Sequence, residues 1–160
     1  IFAIAKLTPI SSIETYLQPV FCSIALEISA SEQEKSNISE VLKNKEQAMD
    51  IISDIKSNGV KVGISLNPDT KLDTIYEYLP YIHKVLIMTV VPGKGGQSFI
   101  YSSVDRIKEI RRMIGDRNIV ISVDGGINNE TSKLVDSDIV VSGSYVLGSD
   151  DLARSISLLR

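Results

Sequence analysis

Ile119-Val120-Ile121-Ser122-Val123-Asp124-Gly125-Gly126-Ile127-Asn128 holds the decisive reading of this chain. Residues 119–123 are almost continuously apolar and β-branched, as in a parallel strand buried on both faces. An aspartate ends the run. Two glycines follow, and Asn128 then opens a helical stretch over 128–135. A strand, a glycine turn and a helix in immediate succession form a βα unit, and ligands of such folds bind at the carboxyl ends of the strands.

The same pattern repeats on both sides. Further strands are expected at 21–28, 60–66, 85–90 and 139–142, with another over 1–7. Helices are expected between them. Over 46–57, Ala48, Ile51, Ile52 and Ile55 make an amphipathic stripe, and Asn58-Gly59 supplies a C-cap. Over 103–114, Val104, Ile107, Ile110 and Ile114 share a face opposite Lys108, Glu109, Arg111 and Arg112. Residues 12–17, 128–135 and 151–159 are shorter helical stretches, and polar residues 29–44 read as a loop leading into a helix. About six βα units give an α/β fold with a parallel sheet in a single domain over 1–160. Periodicity fits a doubly wound sheet and a piece of an eight-stranded barrel equally well.

Bulk properties remove several functional classes. The 160 residues are 43% apolar and 23% charged, as in a globular chain with a real core. Seventeen basic and 20 acidic residues give a net charge of -3, so neither nucleic acid nor an anionic membrane is an expected partner. No apolar run reaches the length of a membrane span, and the apolar start at residues 1–5 lacks the basic flank of a signal peptide. The single cysteine, Cys22, excludes an internal disulfide and reads as a small core residue of a reducing, cytoplasmic compartment. The chain begins at Ile1 rather than Met, so processing or membership of a longer protein is expected.

Two consecutive strands end in turns suited to an anion. Asp124-Gly125-Gly126 frees backbone N–H groups, and Ser142-Gly143-Ser144 follows the next strand. Such a pair matches the phosphate site between the last two βα loops of a barrel. The competing reading is two glycine turns chosen for tight geometry. Val91-Pro92-Gly93-Lys94-Gly95-Gly96-Gln97-Ser98-Phe99 carries three glycines in four residues and reads as a lid. It fits neither a dinucleotide fingerprint nor a P-loop. Lys94 is read as solvated, with a phosphate contact as the alternative. Asp124 is the candidate general base; its competing role, capping the next helix, falls better to Asn128. His83 precedes a strand, on the face of the fold that serves stability. One misplaced histidine cannot build a multi-histidine metal site.

Three pieces resemble the ribulose-phosphate 3-epimerase family: residues 88–99, Val123-Asp124-Gly125-Gly126-Ile127, and Val141-Ser142-Gly143-Ser144. Gly63-Ile64-Ser65-Leu66-Asn67-Pro68 adds a fourth, and order and spacing agree from about residue 44 to 160. The Pro-Gly-x-Gly-Gly-Gln loop is the most specific piece. The resemblance implies a (β/α)8 TIM barrel, here with about six units corresponding to strands 3–8 and the N-terminal units missing. It implies inversion of C3 of a ketose phosphate, interconverting D-ribulose 5-phosphate and D-xylulose 5-phosphate of the pentose phosphate pathway through an enediolate. Two aspartates on opposite faces of the substrate exchange protons at C3, and a divalent ion (zinc, or iron, manganese or cobalt) holds the enediolate oxygens. Asp124 matches the second aspartate, also a metal ligand, and Met88 a methionine capping the intermediate. Gly93, Gly95, Gly96, Gln97, Gly125, Gly126, Gly143 and Ser144 match substrate and phosphate contacts. The family commonly forms homo-oligomers.

Departures from the family pattern are specific. The first two βα units would carry the other catalytic Asp, a metal-binding His and a serine. Ala5-Lys6-Leu7 stands where a His-containing stretch is usual, Glu27 where a His is frequent, and Lys94 where an aromatic residue is frequent. Two readings follow: an incomplete copy of an active epimerase, or an inactive sugar-phosphate-binding paralogue lacking the second Asp and the His ligands. A hexulose phosphate is the related substrate. An aldolase-like synthase or a decarboxylase is disfavoured by the Gly-Gly-Gln loop.

Overall fold

The structure is a computed structural model that describes residues 3–6, as backbone, together with 44–93 and 96–159. Strands β1 (Ala3–Lys6), β2 (Gly63–Leu66), β3 (Lys84–Met88), β4 (Val120–Asp124) and β5 (Ile139–Ser142) form one sheet in the order β1-β5-β4-β3-β2. From β2 to β5 the strands are parallel neighbours in chain order, the arrangement of an arc of a (β/α) barrel. The strands expected at 60–66, 85–90, 119–123 and 139–142 are all present, with ends shifted by up to three residues. Those expected at 21–28 and the helix at 12–17 lie outside the described residues, as does Cys22.

One expectation is corrected. The N-terminal segment is a strand, but β1 runs antiparallel to β5, with Ala3 opposite Ser142 and Lys6 opposite Ile139. An antiparallel ladder satisfies the N–H and C=O groups along that edge of β5 as fully as a parallel one would.

Helix α1 (Lys45–Ser57) begins where Asn44 Oδ1 accepts the Gln47 N–H at 3.2 Å. It ends in a Schellman turn: Gly59, at φ 72°, donates to Lys56 O at 2.9 Å, and Val60 donates to Ile55 O. Ala48 and Ile52 are buried, with Met49 and Ile55 packed beside them. Helix α2 (Ser103–Ile114) buries Ile107, Ile110 and Ile114 completely or nearly so, each contributing about 1.5–3 kcal/mol relative to exposure.

Between β2 and β3 the chain forms a ten-residue 3-10 helix, Leu72–Tyr81. In this tighter helix residues three apart eclipse one another. Leu72, Ile75 and Tyr78 accordingly line up against the core and are buried. The helix expected over 128–135 is reduced to the 3-10 turn Thr131–Lys133. Two short helices close the chain, α3 (Ser144–Leu147) and α4 (Leu152–Ser157), the latter capped by Asp151 at Arg154 N.

Alternation along the strands divides the sheet into two faces. Ile64, Leu66, Val85, Ile87, Ile121, Val123 and Val140 join the helices in a single core. Ser65, Leu86, Met88, Ser122, Asp124, Ile139 and Val141 project from the opposite face, which in a barrel is the interior.

Candidate functional site

The carboxyl ends of β3, β4 and β5 lie level. Met88 pairs with Asp124, and Asp124 with Val141, so these three side chains form a row across the interior face. Met88 and Asp124 are both half-buried, at the rim rather than in the core. A carboxylate set there can reach a bound molecule and is partly shielded from water, which suits proton transfer.

Three segments are stitched together just beyond this row. Thr89, fully buried, donates its N–H to Asp124 O at 2.7 Å. Its hydroxyl lies 2.9 Å from Asp124 O and 2.5 Å from Gly125 O. Its own carbonyl accepts the Ile100 N–H at 2.8 Å. On the other side, the buried Ser142 hydroxyl donates to Ile127 O at 2.7 Å, which ties the end of β5 to the turn after β4.

Gly125 and Gly126 adopt φ 118° and 63°, a region that side chains resist. Packing restricts them further. A Cβ on Gly125 would stand 2.4 Å from Val90 Cγ2, and one on Gly126 would stand 2.6 Å from the Phe99 nitrogen. Val90 and Phe99 flank the glycine-rich loop, so the loop is seated on this turn at both of its ends. Among the described residues, neither the Gly125 nor the Gly126 N–H has an acceptor.

Asn128, expected to cap a helix over 128–135, instead closes a local turn ahead of the 3-10 turn, whose N-cap is Glu130. Its Oδ1 accepts from Glu130 N and Thr131 N, while Thr131 Oγ1 accepts from Asn128 N. Asp124 is not part of that turn. Gly143 is the N-cap of α3, at φ -92°, with open space where a Cβ would be, and Ser144 is exposed. In the loop, Gly93 and Gly96 are exposed with φ of 121° and 70°. Gln97 spans the base of the loop, donating from Nε2 to Val91 O at 2.6 Å. Lys94 and Gly95 lie outside the described residues.

His83 sits at the opposite ends of the strands, as expected. It is exposed, and its backbone joins β3 to its neighbours through Val62 O and Val120 N. Among the described residues, no group of three or more His, Cys, Asp or Glu side chains is placed to hold a metal ion. No helix among them is long and apolar enough to cross a membrane.

The roles of three residues in positioning the site escape a reading of the sequence alone, although Ser142 stands in a turn that the sequence singles out. Thr89 and Ser142 end strands whose apolar neighbours mask them; their signal is a hydroxyl at a fully buried strand end. Arg106, on α2, donates from Nη2 to Asn67 O at 3.2 Å and Thr70 O at 2.7 Å, clamping the turn that follows β2. Burial lowers the pKa of its guanidinium, with Glu109 and Asp69 acting in the opposite direction. Its place within the polar stripe of α2 gives no sign of this contact.

The model of the ribulose-phosphate 3 epimerase family matches residues 24–147. The ribulose-phosphate 3-epimerase of Bacillus subtilis is 44% identical over 112 residues, covering 66% of this chain and 52% of its own. That of Methanocaldococcus jannaschii is 41% identical over 115 residues, 69% of this chain and 49% of its own. That of Mycobacterium tuberculosis (strain H37Rv) is 37% identical, again over 69% of this chain and 50% of its own. The chain spans about half the length of the curated relatives it matches.

Proposed function

The chain belongs to the ribulose-phosphate 3 epimerase family, and we propose that it supplies the phosphate-holding side and one acid–base group of a site that inverts C3 of D-ribulose 5-phosphate. The observation that carries this reading is the level row of Met88 and Asp124, with the Gly125-Gly126 turn immediately beyond it. Asp124 exchanges the C3 proton on one face of the ketose, where the neighbouring carbonyl acidifies it. Met88 presents an apolar surface to the flat intermediate. The N–H groups of Gly125 and Gly126 and the Gly143-Ser144 turn hold the phosphate, with Gly93, Gly96 and Gln97 of the neighbouring loop as further contacts.

The divalent ion implied by the resemblance does not fit the described residues. Asp124 is the one ligand that the resemblance assigns among them, and the described residues alone place no group of three or more His, Cys, Asp or Glu to hold a metal ion. A single carboxylate serves one face of C3, so inversion requires a second acid from outside the described residues. A second reading is a sugar-phosphate-binding relative without turnover, in which the Gly125-Gly126 turn serves binding alone.

Solvent deuterium exchange at C3 of ribulose 5-phosphate, with and without added zinc, separates the two. Incorporation of deuterium by the intact protein supports the epimerase. Saturable binding of the sugar phosphate without exchange supports the binding protein and removes turnover.

A further inference from the structure

We infer that Thr89 is a positioning residue that aims the Gly126 N–H at the phosphate by gripping the carbonyl of Gly125. The inference rests on the phosphate reading of this turn and extends it to a residue outside the anion site itself.

The Gly125–Gly126 peptide is trans, so its C=O and N–H point in opposite directions. Whatever fixes the Gly125 carbonyl therefore fixes the Gly126 N–H. The Thr89 hydroxyl has one proton to donate, and the shorter contact gives it to the Gly125 carbonyl at 2.5 Å rather than to the Asp124 carbonyl at 2.9 Å, which already accepts the Thr89 N–H. The Gly126 N–H is thereby turned away from β3, and it has no acceptor among the described residues. A glycine pair at positive φ is otherwise free to flip this peptide, because it lacks the Cβ atoms that restrict other residues. Thr89 can resist a flip because it is held in place: it is fully buried, and its backbone is bonded at both N–H and C=O. Its carbonyl bond to Ile100 N also fixes the return of the glycine-rich loop. One residue thus sets the anion donor with its side chain and fixes the Ile100 end of the glycine-rich segment with its backbone.

The test is a titration of the isotopically labelled full chain with inorganic phosphate, following the Gly126 amide by NMR. Wild type and Thr89→Ser, which keeps the hydroxyl, should show a saturable Gly126 shift with matching affinity. Thr89→Val, isosteric but without the donor, should bind about tenfold more weakly, as loss of one hydrogen bond implies, with a reduced Gly126 shift. Equal affinity and an equal Gly126 shift in folded Thr89→Val overturn the role of Thr89 while leaving the phosphate site intact. A wild-type Gly126 amide that ignores phosphate defeats the phosphate reading, and the inference with it. If Thr89→Val does not fold, the wild-type protein decides: the Thr89 hydroxyl proton must exchange slowly with solvent, and free exchange overturns the grip.

Discussion

Met88 and Asp124 are register partners at the carboxyl ends of adjacent parallel strands, and both project from the face that the helices leave uncovered. The pairing sets an apolar side chain and a carboxylate at one height beside the glycine turn. From it follows a separation of roles. Asp124→Asn should lower C3 deuterium exchange by about 10²–10⁴-fold, the usual contribution of a general base. Affinity for inorganic phosphate should hold, because the proposed donors at the turn are backbone groups. Exchange that survives in Asp124→Asn would remove Asp124 from the proton transfer.

The glycines proposed to contact phosphate divide by what surrounds them. Gly125→Ala and Gly126→Ala both place a Cβ within 2.6 Å of a neighbouring atom, at φ values that alanine resists. Each should destabilise the chain by about 1–3 kcal/mol or more, through strain and overpacking together. Gly143 has an ordinary φ of -92° and open space, so Gly143→Ala should change stability by less than about 0.5 kcal/mol while weakening phosphate binding. Denaturant midpoints for the three variants check the division; a Gly126→Ala protein as stable as wild type would contradict the packing described.

How far the sequence could be read follows from which spacing each element uses. Ile107, Ile110 and Ile114 repeat near the period of an α-helix, and α2 has the expected limits. Leu72, Ile75 and Tyr78 repeat at three, next to Pro80, so the segment before β3 shows no α-helical stripe even though it is helical. Asn128 after the glycine pair predicts a helix over residues 128–135. Instead, Asn128 and Thr131 bond each other's backbone, and a single 3-10 turn is enough to lead into β5. In the site, Asp124 and the glycines were legible because their types are conspicuous at a strand end. Thr89 and Arg106 were not, because each acts on a carbonyl at least 35 residues away in sequence.

Arg106 offers a local test of the turn after β2. Arg106→Met keeps the packing of the stem and removes both hydrogen bonds to Asn67 O and Thr70 O. The Arg106 Nε is buried without a partner, so relief of its desolvation offsets part of the loss. Global stability should therefore fall by about 1 kcal/mol or less, while the Thr70 amide, bonded to Asn67 O at 3.1 Å, exchanges with solvent about tenfold faster. Unchanged exchange at Thr70 would show that the turn holds its shape without the clamp.

Asp138 should matter more to stability than its partial exposure implies. Its Oδ2 accepts the N–H of fully buried Ile121 at 2.7 Å, and both carboxylate oxygens lie 3.2 Å from Arg111 nitrogens. Its own N–H closes the return bond to Ile121 O at 2.9 Å, so one residue fastens the start of β5 to the middle of β4. Asp138→Ala leaves the Ile121 N–H without an acceptor and Arg111 without its bidentate partner, at a cost of about 1–3 kcal/mol. In a chain of this length that is a fall in Tm of roughly 2–4 °C per kcal/mol. Asp138→Asn keeps an oxygen for Ile121 and should lose less. Arg111→Ala should lose least, since Arg111 also reaches the exposed Asp136 and its ion pairs are screened by solvent. Thermal unfolding of the three variants measures that order, and an Arg111→Ala cost above that of Asp138→Ala would place the stabilisation in the ion pair rather than in the bond to Ile121.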